Sequence, residues 1–311
     1  MPVSTEKMTK NNIFKGVLLV SIGAASYGML ATFVKLAYSD IGITGLPFTP
    51  AEIISSQFIL GIIAILLINA FQKVRKDNVV AASKRNIMQL MVAGTSTGLT
   101  SIFYYMAVKY IPVSIGIVLL MQTVWMGVIL EMVLERKIPS TIKIVAVFIV
   151  LAGTALATNL IDSDIQLDWR GVVLGLLAAA SFTTTMFTAN RIAIGISPAQ
   201  RSLYMLLGGA VIVLFFALST QVTPFNYDIF YKWGILLALF GTVIPPMLLN
   251  AGFPLTGIGL GSIVSSLELP VSVTMAYVLL NESVVGTQWL GITMIIFAIV
   301  IMNVNFPKFR K

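Results

Sequence analysis

One carboxylate, Glu268, lies near the middle of an apolar stretch, Gly257 to Glu282, that is long enough to span a lipid bilayer. A charge at the centre of a spanning helix costs at least ~2.5 kcal/mol on insertion scales, so such a side chain normally faces a protein interior or a water-filled cavity. Glu268 is therefore predicted to face a central cavity, where it could bind the amine of a substrate. Burial favours the neutral form of a carboxyl group, so carrying a proton is also chemically available. The alternative is a structural carboxylate that holds two helices together.

Prolines mark two places where a spanning helix is predicted to break or to act as a hinge. Pro270 follows Glu268 by two residues, and Pro245 and Pro246 lie within the preceding apolar run. Proline has no N–H and clashes with the carbonyl four residues earlier, which membranes tolerate where a neighbour or a cavity satisfies the freed groups. A break at midplane depth indicates a binding site or hinge. A simple packing kink is the alternative.

Polar side chains at bilayer depth supply the other candidates for substrate contact. Lipid cannot hydrogen-bond them, so most are expected to point inward. With Glu268, the predicted substrate-binding residues are Tyr27, Thr97, Ser101, Tyr104, Gln122, Trp125, Thr184, Asn250 and Ser266. Thr97, Ser101 and Tyr104 recur at helical spacing and share one face. For each Ser or Thr, the alternative is a bond to a carbonyl of its own helix or to a neighbouring helix.

The composition restricts the class of protein. The chain has 311 residues, of which 58% are hydrophobic and 10% charged, whereas soluble domains carry about 25% charged residues. Without cysteine or histidine, it cannot form disulfides, thiolate or imidazole metal sites, or a histidine acid–base centre. We therefore expect no metal, no cofactor and no enzymatic activity, and no Walker-type loop supports coupling to ATP. The net charge of +8 lies in loops and indicates membrane orientation, not nucleic-acid binding.

Ten apolar runs of near-bilayer length follow one another with short loops between them. They cover approximately 13–36, 50–71, 87–109, 113–134, 142–160, 170–190, 198–219, 231–252, 257–280 and 288–305. Each is close to the ~20 residues that a bilayer-spanning helix needs. The first is too long for the core of a signal peptide. The pattern predicts an all-α polytopic membrane protein with ten transmembrane helices.

The basic residues lie mainly on one side of these runs. Sixteen of the twenty fall on that side: Lys7, Lys10, Lys15, Lys73, Arg75, Lys76, Lys84, Arg85, Arg136, Lys137, Lys143, Arg191, Arg201, Lys308, Arg310 and Lys311. The positive-inside rule then places both termini in the cytoplasm. We interpret Glu131 as an interfacial ion-pairing residue on this side, and Asp162, Asp164 and Asp168 as a solvated outer loop.

The two halves of the sequence repeat. Lys15-Gly16 followed by Ala24-Ala25-Ser26-Tyr27 matches Arg170-Gly171 followed by Ala179-Ala180-Ser181-Phe182, at an offset of 155. Further matches in the same order are Pro50-Ala51-Glu52 with Pro198-Ala199-Gln200, Gly94-Thr95 with Gly241-Thr242, and Glu135 with Glu282. A unit of five spans is odd, so its second copy enters the membrane from the opposite face. The sequence thus predicts two inverted five-helix repeats, residues 1–160 and 161–311.

The second half closes with Leu267-Glu268-Leu269-Pro270 and then Leu280-Asn281-Glu282-Ser283. Together with the ten runs and the Lys-Gly…Ala-Ala-Ser-Tyr opening, this close resembles the EamA-type branch of the drug/metabolite transporter superfamily. The resemblance covers essentially the whole chain. Two positions depart from the family pattern: Met121 replaces the carboxylate in the first half, and Gln57 lies where a basic residue is usual in the second run.

The resemblance implies a fold in which helices 1–4 and 6–9 surround a substrate path and helices 5 and 10 lie at the periphery. It implies a secondary transporter, a permease that acts as an exporter in the plasma (cell inner) membrane and moves a small organic metabolite such as an amino acid or an amphiphile by alternating access. The partners would be a small-molecule substrate and the bilayer, without nucleic acid, and proton coupling and a homodimer stay open. The alternatives are a lipid-linked or nucleotide-sugar carrier of the same superfamily and, remotely, an intramembrane enzyme.

Overall fold

The computed structural model describes residues 10–43, 45–75, 80–111, 113–159 and 168–303. These residues form α-helices and connecting loops, with one isolated β-bridge between Ile41 and Pro47. The first half contains α1 Lys10–Ser39, α2 Pro50–Val74, α3 Lys84–Ala107, α4 Val113–Leu120, α5 Thr123–Glu135 and α6 Thr141–Ala157. The second half contains α7 Trp169–Arg191, α8 Pro198–Thr220, α9 Ile235–Ala238, α10 Ile244–Thr256, α11 Ile258–Ser265, α12 Glu268–Leu279 and α13 Gly286–Asn303. Two π-helical segments, Phe230–Gly234 and Leu239–Val243, flank α9.

Seven stretches of the described chain are long and apolar enough to cross a membrane. They are α1, α2, α7, α8, residues 115–135, residues 230–256 and residues 258–279. Two shorter apolar helices, Thr141–Ala157 and Gly286–Met302, add to them. The 24-residue α3 is not among the seven, because its Ser, Thr and Tyr residues lower its mean hydropathy. The chain is therefore an all-helical protein with several membrane-crossing helices.

Several helices begin where the local sequence provides a cap. Thr49 accepts a bond from the Glu52 amide at 3.2 Å, and the Glu52 carboxylate returns one to the Thr49 amide at 2.8 Å, which is a capping box before Pro50. Ser83 and Ser197 cap α3 and α8 by accepting a backbone N–H bond with their hydroxyl groups. These caps place the helix starts within a few residues of the apolar runs in the sequence.

The helices pack in pairs that correspond between the two halves. α1 packs against α10 and the α11–α12 pair, and α7 packs against α3 and the α4–α5 pair. Three further pairs join one half to the other: α2 with α8, α5 with α11, and α6 with α13. Exchanging the halves therefore maps these helix pairs onto one another.

One end of the bundle, which we call the Lys35 face, gathers the ends of α1 and α12 and the segment before α9. The Lys35 ammonium pairs with the Glu282 carboxylate. Asp40, just after α1, accepts a bond from the Trp233 indole N–H at 2.8 Å and lies 3.4 Å from the Lys232 ammonium. These bonds lower the pKa of the Asp40 carboxyl group, with the Trp233 bond as the main cause.

The opposite end, which we call the Arg191 face, gathers the ends of α2, α5 and α7 and the start of α8. Arg191 lies 3.7 Å from the Glu135 carboxylate. The Asn69 amide donates to the Ala199 carbonyl at 3.1 Å. The predicted ion-pairing role of Glu131 is confirmed, and its partner is Lys143 on α6. One expectation from the sequence changes on this side: Arg201 is not a loop charge, because it is buried within α8.

Part of the charge pattern lies outside the described residues. This applies to Lys7, Lys76, Asp162, Asp164, Lys308, Arg310 and Lys311. Asp168 is described, and it caps α7 through the Arg170 amide at 2.9 Å. The Arg170 side chain also bonds the Asp168 carboxyl group and lowers its pKa.

Candidate functional site

A cavity of about 160 Å³ lies between helices of both halves. Five predicted residues line it: Glu268, Tyr27, Thr97, Ser101 and Tyr104. The rest of its wall consists of Leu30, Ala31, Val34, Lys35, Tyr38, Gln57, Phe58, Thr100, Tyr105, Val108, Ile117, Leu120, Phe182, Thr185, Gly241, Thr242, Leu269 and Ser272. None of these wall residues belongs to α6 or α13. The structure thus brings half of the predicted substrate-binding residues together in one cavity.

Glu268 is the first residue of α12 and follows a break between α11 and α12. At this break the Ser266 amide bonds the Ile263 carbonyl at 3.2 Å, and the Leu269 amide bonds the Ser266 carbonyl at 3.2 Å. Both are three-residue spacings that tighten the chain locally. Pro270 has no N–H to give the Ser266 carbonyl, so the tighter Leu269 bond takes its place. The predicted break is present at this point, whereas a hinge movement there stays a prediction.

A close approach by α1 holds the start of α12 in place. A Cβ atom on Gly28 would overlap the Glu268 carbonyl oxygen and lie 2.8 Å from the Val271 Cβ. Only glycine allows the two backbones to come this close. The contact fixes the first turn of α12, and with it Glu268, against the middle of α1.

The Glu268 side chain has aromatic neighbours. Within the described part of the chain, its carboxylate has no ion-pair partner. It shares the cavity wall with the Tyr27 and Tyr104 side chains.

A second helix break, between α4 and α5, lies at the matching place in the first half. The Gln122 amide N–H bonds the Leu119 carbonyl at 3.1 Å, which leaves the Val118 carbonyl without its helical donor. The Gln122 side chain fills this role at 2.9 Å and accepts a bond from the Trp125 indole at 2.8 Å. Gln122 and Trp125 are therefore bonded to each other at the break and do not belong to the cavity wall.

The cavity floor is an aromatic contact between equivalent residues of the two halves. The rings of Tyr27 and Phe182 meet edge to face with centroids 5.9 Å apart. Beyond them lies a second cavity of about 20 Å³, whose wall includes Asn250 and Pro246. Thr97 lines both cavities. Two of the predicted residues, Asn250 and Pro246, thus line the smaller cavity and not the main one.

Three predicted residues lie elsewhere. The Ser266 hydroxyl bonds the Ile263 carbonyl at 2.6 Å and supports the α11–α12 break. Thr184 is exposed on the outside of α7, where its hydroxyl bonds the Ala180 carbonyl at 3.0 Å. Self-bonding satisfies a hydroxyl group without an inward position, which explains why Thr184 departs from the expectation. Pro245 is buried in the first turn of α10, directly after a π-helical segment.

Among the described residues, Arg201 is the largest fully buried side chain, with 1% of its surface exposed. Its guanidinium group donates to four backbone carbonyls. The acceptors are Thr188 at 3.0 Å, Ala189 at 2.6 Å, Ile192 at 3.1 Å and Asn250 at 2.5 Å. Three of these carbonyls end α7, where helical donors are missing. Arg201 therefore ties the end of α7 to α8 and α10.

The bond from Arg201 to the Asn250 carbonyl has a specific cause. Pro254 lies four residues after Asn250 within α10 and has no N–H, so the Asn250 carbonyl lacks its helical partner. Arg201 supplies the missing donor. The guanidinium group thus has a structural role on the Arg191 side of the cavities.

The bundle is closely packed between the cavities and the Arg191 face. A buried apolar cluster there includes Val124, Val128, Met186, Leu249, Phe253, Ile263 and Val264. Below it, the Glu131 carboxylate pairs with Lys143 and accepts the Gly259 amide at 3.2 Å. Gly259 lies in the first turn of α11, where a carboxylate is stabilised by free amides. The main cavity is therefore bordered by packed helices on this side and extends towards Lys35 on the other.

The sequence model of the EamA-like transporter family matches residues 14–159 and again residues 169–304. The chain belongs to the EamA-like transporter family. A solved structure described as "Crystal structure of protein" shares the fold, with a TM-score of 0.75 and 12% identity over 93% of this chain and 97% of its own. No curated protein matches the chain. The resemblance to the drug/metabolite transporter superfamily is thus confirmed: this EamA-family chain is an integral, multi-pass membrane protein of a transporter family.

Sequence reasoning missed Phe182 and Lys35 in the cavity wall and the buried position of Arg201. Phe182 could have been found, because it occupies the repeat position of Tyr27. Lys35 lies two turns beyond Gly28 on α1, a spacing that brings it to the same helix face. Arg201 gave no such signal, because it comes soon after Pro198 and looks like a loop charge.

Proposed function

We propose that this EamA-family protein is a secondary transporter that moves a small organic solute through the cavity beside Glu268 by alternating access. One observation carries the proposal: the cavity extends from the helix breaks towards the Lys35 face and is closed by packed helices towards the Arg191 face. A transporter that alternates must block one side while the other is open. The Tyr27–Phe182 contact and the cluster below it would be the closed side.

The architecture of the proposal is ten spans in two inverted five-helix repeats, residues 1–160 and 161–311. The helix pairs that map onto one another support this, as does the pair of helix breaks before Thr123 and Glu268. Discontinuous helices at midplane depth are typical of transporter binding sites. The excess of basic residues on the Arg191 side supports a cytoplasmic position for that face and for both termini, in a plasma membrane.

Glu268 is the proposed solute-binding group, with Tyr27, Thr97, Ser101 and Tyr104 around it. A carboxylate in a partly desolvated site attracts a protonated amine more strongly than it would in water. The same carboxyl group could alternate between a proton and the solute, which would couple transport to a proton gradient. The proposal includes both roles for Glu268.

The two other classes of protein receive little support. A nucleotide-sugar carrier needs a large polar cavity. The cavity beside Glu268 has a volume of about 160 Å³, and an apolar cavity of about 150 Å³ is filled by a molecule the size of benzene. An intramembrane enzyme needs paired catalytic groups at depth. Among the described wall residues, Glu268 is the one carboxylate, and Lys35, the one basic residue, is paired with Glu282.

A thermal-shift screen followed by transport tests the proposal. Purified protein would be screened against amino acids, nucleosides, sugars and cationic dyes, since a ligand that binds the folded state raises Tm. Each hit would then be measured for counterflow in proteoliposomes containing the native chain, Glu268→Gln or Glu135→Gln. Glu135 is a matched control, because its carboxylate is exposed and its contact with Arg191 is long.

We expect counterflow in the native protein and in Glu135→Gln, and its loss in Glu268→Gln. If Glu268→Gln carries every hit at the native rate at all pH values, neither proposed role of the carboxylate survives. If no solute in the panel crosses the bilayer with the native protein, the transport proposal itself fails.

A further inference from the structure

The charged groups on the cavity wall are unequally available to a solute. Among the described wall residues the only charged side chains are Glu268 and Lys35. The Lys35 ammonium is paired with Glu282, whereas the Glu268 carboxylate has no ion-pair partner in the described chain. The wall therefore offers a solute one acidic group without an ion-pair partner in the described chain, while its one basic group is already paired.

The polar groups of the wall include unused hydrogen-bond acceptors. Thr100 donates to the Ser96 carbonyl at 2.8 Å, and Thr242 donates to the Gln57 carbonyl at 3.0 Å. The hydrogens of these two hydroxyl groups are thus already used, while their oxygen lone pairs stay available. The Gln57 side-chain oxygen and the Tyr38 and Thr97 hydroxyl groups have no partner in the described chain. An ammonium group carries three donors, so it can bond these acceptors.

Lys35 is engaged by Glu282, so it is not free to complement Glu268 in binding one α-amino acid. The Glu268 backbone contacts Gly28, and the Lys35 backbone lies seven residues further along α1, a rise of about 10 Å along the helix. The ammonium and carboxylate groups of an α-amino acid are joined through one carbon, about 2.5 Å apart. A carboxylate next to a Glu268-bound amine would lie beside Glu268 itself, where it would be repelled.

Size and surroundings define the rest of the solute. The cavity of about 160 Å³ is close to the ~150 Å³ that holds one benzene ring. Aromatic rings within about 6 Å of a cation attract it further, and Tyr27 and Tyr104 line the same cavity as Glu268. The cavity therefore fits a solute that has one ring, or an apolar body of equivalent size, and a short aminoalkyl arm.

We propose that the solute of this cavity is a small organic monoamine, bound as its cation, that has an apolar body of about one ring and no carboxylate. The proposal rests on the transport function proposed above and makes it specific. It separates amines from amino acids, a distinction that neither the fold nor the family supplies.

Three probes that share a phenylethyl group test this: phenethylamine, phenylalanine and 3-phenylpropionate. Dissociation constants would be measured by ligand-dependent thermal shift and by calorimetry for the native protein, Glu268→Gln and Lys35→Met. In the native protein we expect phenethylamine to bind at least about tenfold more tightly than phenylalanine, and 3-phenylpropionate to bind most weakly. Glu268→Gln should abolish the preference for the amine. Lys35→Met should preserve it.

The comparison among probes uses the native protein, so it does not depend on any variant folding well. Binding of phenylalanine or 3-phenylpropionate as tight as that of phenethylamine would overturn the monoamine proposal and leave transport intact. The monoamine proposal would also be overturned, and transport left intact, if none of the three probes binds while a solute without an amine shows counterflow that depends on Glu268. Absence of counterflow for every solute in the wider panel would instead contradict the transport function.

Discussion

At the scale of single residues, Arg201 shows how a charge can be buried in this bundle without a carboxylate. Its guanidinium group replaces the missing helical donors at the end of α7 and at the Pro254 kink of α10. A sequence pattern that classifies Arg by its distance from an apolar run cannot detect this, because the acceptors belong to other helices. The flat, five-donor shape of guanidinium is what the site requires.

We therefore expect Arg201→Lys to lower the free energy of unfolding by about 3 kcal/mol, since a buried ammonium group cannot reach four carbonyls on two helices. Thermal unfolding in detergent would show this as a lower Tm. Arg191→Lys is the matched control, because Arg191 is exposed and makes one long ion pair. It should change stability by less than about 1 kcal/mol. Equal Tm values for the two variants would contradict the role given to Arg201.

Asp40, on the Lys35 face, makes a pH-dependent contribution to the free energy of unfolding. Its pKa is lowered by the Trp233 indole bond and by Lys232, so the folded state prefers the ionised form. The resulting stabilisation is present above the unfolded-state pKa of about 3.9 and is lost as the pH falls through the lower folded-state pKa. Asp40→Asn should lower Tm most at pH 7, and the difference from the native protein should shrink towards pH 3. A difference in Tm that is constant over this range would show that the Asp40 charge contributes nothing.

At the scale of helices, the position of Glu268 depends on how closely α1 and α12 approach. Gly28→Ala places a methyl group against the Glu268 carbonyl, and overpacking of this kind costs about 1–3 kcal/mol. We expect lower stability and weaker solute binding, because the first turn of α12 must move. Gly195→Ala is the control, since a Cβ atom there would have no neighbour within 4 Å. If both variants bind solute like the native protein, the α1–α12 contact does not position Glu268.

The sequence predicts one of the two helix breaks better than the other. Pro270 marks the α11–α12 break, whereas the α4–α5 break has no proline and is supported by the Gln122 side chain instead. A glutamine within an apolar run is equally compatible with a substrate contact, which is why Gln122 and Trp125 were expected at the cavity. Which carbonyl a side chain satisfies is decided by three-dimensional geometry that periodicity does not contain. The helical class and most helix bounds, in contrast, follow from the apolar runs and the caps.

At the scale of the whole molecule, equivalent residues of the two halves meet or occupy matching positions. Tyr27 meets Phe182 at the cavity floor. Glu282 pairs with Lys35 on one face, and Glu135, its repeat equivalent, pairs with Arg191 on the other. The repeat was visible in the sequence, but its consequence, a ring contact at the centre of the bundle, was not. If the two halves exchanged their conformations, the cavity would open towards the Arg191 face as it closes towards the Lys35 face.

The central claim is that the cavity beside Glu268 opens alternately to the two sides of the membrane. The chain has no cysteine, so Ser272→Cys in the cavity wall would be its one thiol. A membrane-impermeant thiol reagent would be applied to this variant from each side in oriented vesicles, with Val222→Cys as control, since Val222 is 95% exposed in the loop after α8. We expect Ser272→Cys to react from both sides and Val222→Cys from the outer side alone. Reaction of Ser272→Cys from a single side under all conditions would contradict alternating access.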